Sequence, residues 1–150
     1  MILIKRCNSK NPDFRSLIYG LDLELNSRYG QLQAEYNKYN KIESINTVVV
    51  AYIEGTPVGC GCYKKYDATT VEIKRMFVNK AFRGQGISKM ILRELEAWAK
   101  EDNYESAILE TGVKQTEAIG LYQKSGYNGI ENYGQYIGNT NSVCMQKKLS

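Results

Sequence analysis

The chain has no histidine among its 150 residues. That absence removes every Ser-His-Asp and Cys-His arrangement and every histidine-ligated metal site, and leaves acid–base chemistry to Glu, Asp, Tyr, Lys or Cys. Long apolar runs are missing as well: Val48 to Ile53 is the longest, far short of the ~20 residues that span a bilayer, so no membrane role is expected. Cysteine is sparse, at four residues, and the N-terminal MILIKRCNSK lacks the apolar core of a signal peptide. Reduced thiols in a cytoplasmic protein are therefore expected. Cys60 and Cys62 stand two apart, on one face of a strand, and zinc would need two further ligands, so no metal is expected. The excess of positive charge is small: 20 Lys and Arg against 16 Asp and Glu, interleaved along the helices. A net +4 favours anionic ligands without selecting nucleic acid.

What is present reads as one globular domain over residues 1–150, 43% hydrophobic and 24% charged, with a single core. A short strand, Met1 to Lys5, leads through the helix-start signal Asn11-Pro12-Asp13 into an amphipathic helix with Phe14, Leu17, Ile18, Leu21 and Leu25 on one side. A weaker helical stretch covers Gln31 to Ile42. The β-branched run Thr47 to Ile53, the turn Glu54 to Pro57 and Val58 to Tyr63 predict a hairpin, and Thr70 to Val78 a further strand. From Gly84 to about Asn103 runs a helix with Ile87, Ile91, Leu95 and Trp98 as its buried stripe and a Glu96–Lys100 pair on its outer face. A strand from Ser106, a helix over Gln115 to Lys124 stopped by Gly126, and strands over Tyr127 to Tyr133 and Ser142 to Lys148 complete an α/β chain with a mixed sheet.

The most specific local feature is Arg83-Gly84-Gln85-Gly86-Ile87-Ser88-Lys89, between a strand and the long helix. Glycines let backbone amides turn toward a ligand, and a helix N-terminus adds about half a positive charge, which together suit a phosphate or pyrophosphate. The loop lacks the frame of a Walker loop. A dinucleotide fingerprint would need a third glycine where Lys89 stands and a parallel βαβ unit before it. The remaining alternative is that Gly84 and Gly86 only shape a tight turn.

Arg83-Gly84-Gln85-Gly86-Ile87-Ser88 fits the pattern Gln/Arg-x-x-Gly-x-Gly/Ala at every position but the last, and Ala118-Ile119-Gly120-Leu121-Tyr122-Gln123-Lys124-Ser125-Gly126-Tyr127 fits Ala-x-x-x-Tyr-x-x-x-Gly-Phe/Tyr. With Glu72 to Val78 before them and Glu110-Thr111-Gly112 between, these segments resemble the GNAT-type acetyl-coenzyme A N-acetyltransferases across nearly the whole chain. The resemblance implies the GNAT acyl-CoA N-acyltransferase fold, a mixed and mainly antiparallel sheet of about seven strands flanked by about four helices. It implies acetyl-CoA as co-substrate. The backbone of Met76, Phe77 and Val78 would bind the pantetheine arm, the amides from Gly84 through Gln85, Gly86, Ile87 and Ser88 to Lys89 the pyrophosphate, and Arg83 would lie beside the phosphates. Ser88 stands where Gly or Ala is usual, Lys80 where proline is common, and Gln115 where an asparagine often contacts the pantetheine arm.

The implied reaction is acetyl transfer to a primary amine within a ternary complex. An aliphatic ammonium with a pKa near ~10.4 must lose its proton before attack, and without histidine a carboxylate must take it, directly or through water. Glu72 is the first candidate and Glu110 the rival; alternation places Glu72, Lys74 and Met76 on one face unless a bulge intervenes. Tyr122 occupies the family's general-acid position, a phenol that stays protonated and can donate to the departing thiolate. No cysteine stands beside a base, so no acyl-cysteine step is expected. Two other classes compete: a non-catalytic coenzyme A-binding regulatory module, and a nucleic-acid or protein-binding domain supported only by the +4 charge. Tyr29, Tyr36 and Tyr39 are placed by analogy at the border of the acceptor site, a small molecule by preference, and the C-terminal edge strands are where two copies of a homodimer would pair.

Overall fold

The computed structural model describes residues 1–29 and 44–149. Its elements are β1 (Ile2–Cys7), α1 (Pro12–Tyr29), β2 (Val48–Ile53), β3 (Thr56–Lys65), β4 (Thr70–Val78), α2 (Ile87–Glu101), β5 (Ser106–Gly112), α3 (Thr116–Lys124), β6 (Asn128–Ile130) and β7 (Ser142–Lys148), with 3-10 turns at Lys80–Phe82 and Gly134–Tyr136. The seven strands form one sheet in the order β1-β2-β3-β4-β5-β7-β6. The β4–β5 pair is parallel, and β1–β2, β2–β3, β5–β7 and β6–β7 are antiparallel, which is the mixed sheet expected from the sequence. The helical stretch over 31–42, with Tyr36 and Tyr39, lies outside the described residues, as does the side chain of Tyr29. No helix among the described residues is long and apolar enough to cross a membrane.

Contacts divide the chain into two compact units. The first comprises Met1–Cys62 and Arg75–Leu95. Its first helix starts where the sequence says: Asn11 Oδ1 accepts from the amides of Asp13 (2.8 Å) and Phe14 (3.1 Å), capping α1, and Pro12 needs no partner for its missing N–H. Phe14, Leu17 and Ile18 are buried against Val48, Val50, Cys60 and Cys62, so the α1 stripe meets one face of the β2–β3 hairpin. That hairpin turns through two residues, Glu54 (φ 48) and Gly55 (φ 80), both left-handed as a type I′ turn requires.

On β3 the glycines alternate with the cysteines, and the reason is the close approach of both α2 and the end of β4. A Cβ at Gly59 would sit 3.0 Å from both Ile91 Cδ1 and the Phe77 carbonyl oxygen; one at Gly61 would sit 2.5 Å from Met76 Sδ and 3.0 Å from Leu95 Cδ1. The helix is seated at a distance that only hydrogen allows. Gly59→Ala should therefore lower stability by about 1–3 kcal/mol, since the backbone carbonyl of Phe77 cannot swing aside. Chemical denaturation measures this, and an unchanged midpoint would mean that both Phe77 and Ile91 give way at little cost.

The second unit comprises Tyr63–Lys74 and Glu96–Ser150. Ala107, Ile108 and Leu109 of β5 are buried, with β5 flanked by β4 and β7. Here the structure corrects the sequence reading of Glu96. It is not on an outer face with Lys100 but buried, accepting from Tyr127 Oη (2.9 Å) and Lys147 Nζ (2.9 Å). Two donors, one from the turn after α3 and one from β7, stabilise a carboxylate that helical spacing alone assigns to solvent. Helix α3 ends in a Schellman motif, with Gly126 at φ 98, its amide on the Gln123 carbonyl and the Tyr127 amide on the Tyr122 carbonyl. The strand expected over Tyr127 to Tyr133 is only three residues, Asn128–Ile130, because Gly134 then turns the chain into a 3-10 segment.

Candidate active site

In the first unit, the chain between β4 and α2 is tightly organised. The Asn79 amide donates to the Val58 carbonyl, and Asn79 Oδ1 accepts from Ala81, which fixes the 3-10 turn. Gly84 (φ 83) and Gly86 (φ 77) are left-handed, and a Cβ on either would meet nothing within 4 Å. Backbone conformation, not crowding, demands glycine here. The Gly86 carbonyl accepts from Met90, so the amides of Ile87, Ser88 and Lys89 form the unbonded first turn of α2, with Ile87 buried, Ser88 half-buried and Gln85 and Lys89 exposed. Open backbone, a helix N-terminus and a lysine fit a pyrophosphate. Met76 and Phe77 are half-buried on β4 and Val78 is buried. Arg83 is engaged within the protein: Nε donates to the Val78 carbonyl (2.9 Å) and Nη2 to Glu24 (2.9 Å).

Alternation along β4 breaks at Arg75, a non-glycine residue at φ 61, a conformation that costs about 1–2 kcal/mol. It is held by its carbonyl accepting from Cys60 Sγ (3.4 Å) and its guanidinium pairing with Asp22 (3.0 Å). Glu72 and Lys74 share a face, 4.0 Å apart, but the alternation that would add Met76 to them is interrupted.

In the second unit, Glu72, Glu110 and Tyr122 gather with residues that the sequence did not single out. Glu72 is buried and accepts from Tyr133 Oη (2.8 Å). Parallel register sets Glu72 beside Ile108, and Glu110 lies two residues further along β5, opposite Cys144 of β7. Ser142 Oγ donates to Glu110 Oε2 at 2.7 Å. Burial pushes the Glu110 carboxyl up to about 7; the Glu72 charge adds to this, while the Ser142 bond and the Lys74 ammonium oppose it. Tyr122 is buried, its ring edge-on to Tyr127 at 5.8 Å, and burial together with the Glu110 charge raises its phenol well above the ordinary value. Tyr133 lies edge-on to Tyr66 (5.3 Å) and Tyr136 (5.6 Å), and both Tyr133 and Tyr136 are likewise raised by burial and by the charges of Glu72 and, for Tyr136, Glu110. Asn132 Nδ2 ties their loop by donating to the carbonyls of Tyr136 and Asn139. Gln115 is half-buried at the start of α3, its amide on the Gly112 carbonyl.

The arrangement is a carboxylate able to exchange a proton near neutrality, close enough to a protonated phenol to perturb it, on a chain that also carries a glycine loop at a helix N-terminus. Tyr133, Tyr136 and Ser142 escaped sequence reading. The closely spaced tyrosines of Glu131-Asn132-Tyr133-Gly134-Gln135-Tyr136 were the available signal, but a loop carries no periodicity to say which way it folds back.

The model of the acetyltransferase (GNAT) family matches residues 14–127. The IAA acetyltransferase of Azospirillum brasilense is 36% identical over 102 residues, 67% of each chain. Other curated N-acetyltransferases are matched over smaller shares of their length, from 62% down to 30%. Among solved structures, a Klebsiella pneumoniae protein assigned as an acyl-CoA N-acyltransferase superposes with a TM-score of 0.83 at 28% identity, covering 100% of this chain and 99% of that one. A GNAT acetyltransferase of Elizabethkingia anophelis, solved with acetyl-CoA bound, shares the fold at a TM-score of 0.70 and 21% identity, over 98% and 97% of the two chains.

Proposed function

Since the chain belongs to the GNAT acetyltransferase family, we propose that it transfers the acetyl group of acetyl-CoA to the primary amine of a small acceptor by direct attack in a ternary complex, with Glu110 as base and Tyr122 as acid. The observation that carries this reading is that the Glu110 carboxyl, raised to about 7, lies near enough to the protonated Tyr122 for its charge to act on the phenol. A general base works best with a pKa near the operating pH.

Glu110 takes the proton of the substrate ammonium, which frees the nitrogen lone pair. As the N–C bond forms and the C–S bond breaks, Tyr122 gives its hydroxyl proton to the sulfur and recovers one from Glu110. The second amine proton leaves to water, so the products are the amide, the thiol and one released proton. Glu72, bonded to Tyr133 and paired with Lys74, supports Glu110 by charge. The amides from Gly84 to Lys89 hold the pyrophosphate, and the backbone of Met76 to Val78, with Gln115, holds the pantetheine arm.

The test is calorimetry with acetyl-CoA followed by thiol release over a chemically diverse panel of amines, with product mass to exclude O-acetylation. Gly86→Val, which cannot adopt φ 77 without strain, is expected to weaken acetyl-CoA binding at least about tenfold. Unchanged affinity would remove the loop from the site. Tight binding without turnover of any amine would favour a coenzyme A-binding regulatory module.

A further inference from the structure

Arg83 is the first residue of the glycine motif, and its guanidinium is already committed. Nε donates to the carbonyl of Val78, the last residue of β4 (2.9 Å), and Nη2 lies between both oxygens of Glu24, at 2.8 Å and 2.9 Å. The Phe77 ring lies 5.8 Å from its central carbon. The side chains of Arg83 and Glu24 are 29% and 25% exposed, so the pair is substantially screened from water. Glu24 is itself held in place by contacts of the residues just before it on α1. Gly20, four residues before it on the same face, brings the helix to the Phe77 ring, with 3.4 Å left for a Cβ, and Asp22 pairs with Arg75 at 3.0 Å.

These contacts make a brace. One guanidinium closes the backbone between Val78 and Gly84 onto itself and onto α1. A carboxylate already neutralises its charge, so an anion approaching that guanidinium would have to compete with Glu24. We propose that Glu24 is a positioning residue for the phosphate loop, acting through Arg83 to fix the backbone that presents the amides of Gly84 to Lys89. The proposal rests on the reading of that loop as the pyrophosphate site.

The sign of one substitution separates this from direct phosphate contact by Arg83. If Arg83 is a brace, Glu24→Gln weakens coenzyme A binding; if it is a phosphate ligand restrained by a competing carboxylate, Glu24→Gln strengthens it. Calorimetry with coenzyme A is expected to show Kd raised about fivefold to tenfold in Glu24→Gln and in Arg83→Gln, with the double variant no weaker than either, as residues acting as one unit behave. Glu24→Asp should recover part of the loss, and in turnover the effect should fall on the KM for acetyl-CoA rather than on kcat. Unchanged or tighter binding in Glu24→Gln, or additive losses in the double variant, would overturn the proposal. A second measurement needs no ligand. Amide exchange of Phe82 and Met90, each bonded within the loop, at 2.9 Å and 3.2 Å, should quicken at least about fivefold in Glu24→Gln, and unchanged exchange would overturn the brace. Wild-type protein that fails to bind coenzyme A would sink the proposed function, while the exchange rates would still decide the brace.

Discussion

Replacing Glu110 by Gln is expected to lower kcat about 100-fold or more and, in the same protein, to raise stability at alkaline pH. Both effects come from one group. In the folded protein its pKa is about 7 against 4.5 for a free glutamate, so between these values the folded state binds the proton more tightly than the unfolded chain. Stability from this group is fully present below the unfolded pKa and is lost as pH rises through the folded one. Above about pH 7 the wild type carries a buried charge that costs about 3 kcal/mol, a cost that glutamine avoids. Denaturation of wild type and Glu110→Gln should therefore agree near about pH 4 and diverge near about pH 8, with the variant more stable. In kinetics, the wild-type kcat/KM should rise with pH through an acidic limb near about 7 that the variant lacks. A variant with wild-type turnover, or no more stable than the wild type at alkaline pH, would remove Glu110 as the base.

Tyr122→Phe is expected to lower kcat by about two orders of magnitude and to leave the KM for acetyl-CoA within about threefold. The substitution removes only the hydroxyl, because the ring contact with Tyr127 and the backbone carbonyl that accepts the Tyr127 amide both persist in phenylalanine. Single-turnover measurement with a reactive amine separates chemistry from product release. An unchanged rate would take Tyr122 out of the mechanism and transfer proton delivery to water.

The strands at Thr70–Val78 and Ser142–Lys148 match their sequence reading end to end. Each combines β-forming residues with sharp flanking turns, so local chemistry suffices. The hairpin was legible for the same reason, since Glu54-Gly55 is a turn whatever surrounds it. The core stripe of α1 followed from spacing, and Phe14, Leu17, Ile18 and Leu21 are all buried. Failures began where a partner arrives from far along the chain. Glu96 looks like a solvent residue until Tyr127 and Lys147 are placed beside it, and the acid–base character of Glu110 is invisible until burial and the Ser142 bond are known. The left-handed backbone at Arg75 has a different origin: an arginine gives no local sign of it, and the bond from Cys60 and the Asp22 pair hold that conformation. Motif spacing pointed to Tyr122 and the glycine loop as places to look, but it could not say that the Arg83 guanidinium is committed to the Val78 carbonyl and Glu24.

The end of α3 has a consequence for how such a chain can change over time. Tyr122 anchors its surroundings through its carbonyl, which closes the helix terminus, and through its ring, which rests on Tyr127; neither contact involves the phenolic oxygen. On the proposed mechanism, competence and foldedness are separable by a single atom. A lineage that dropped that oxygen would keep both contacts, and selection for a well-folded protein would not register the loss.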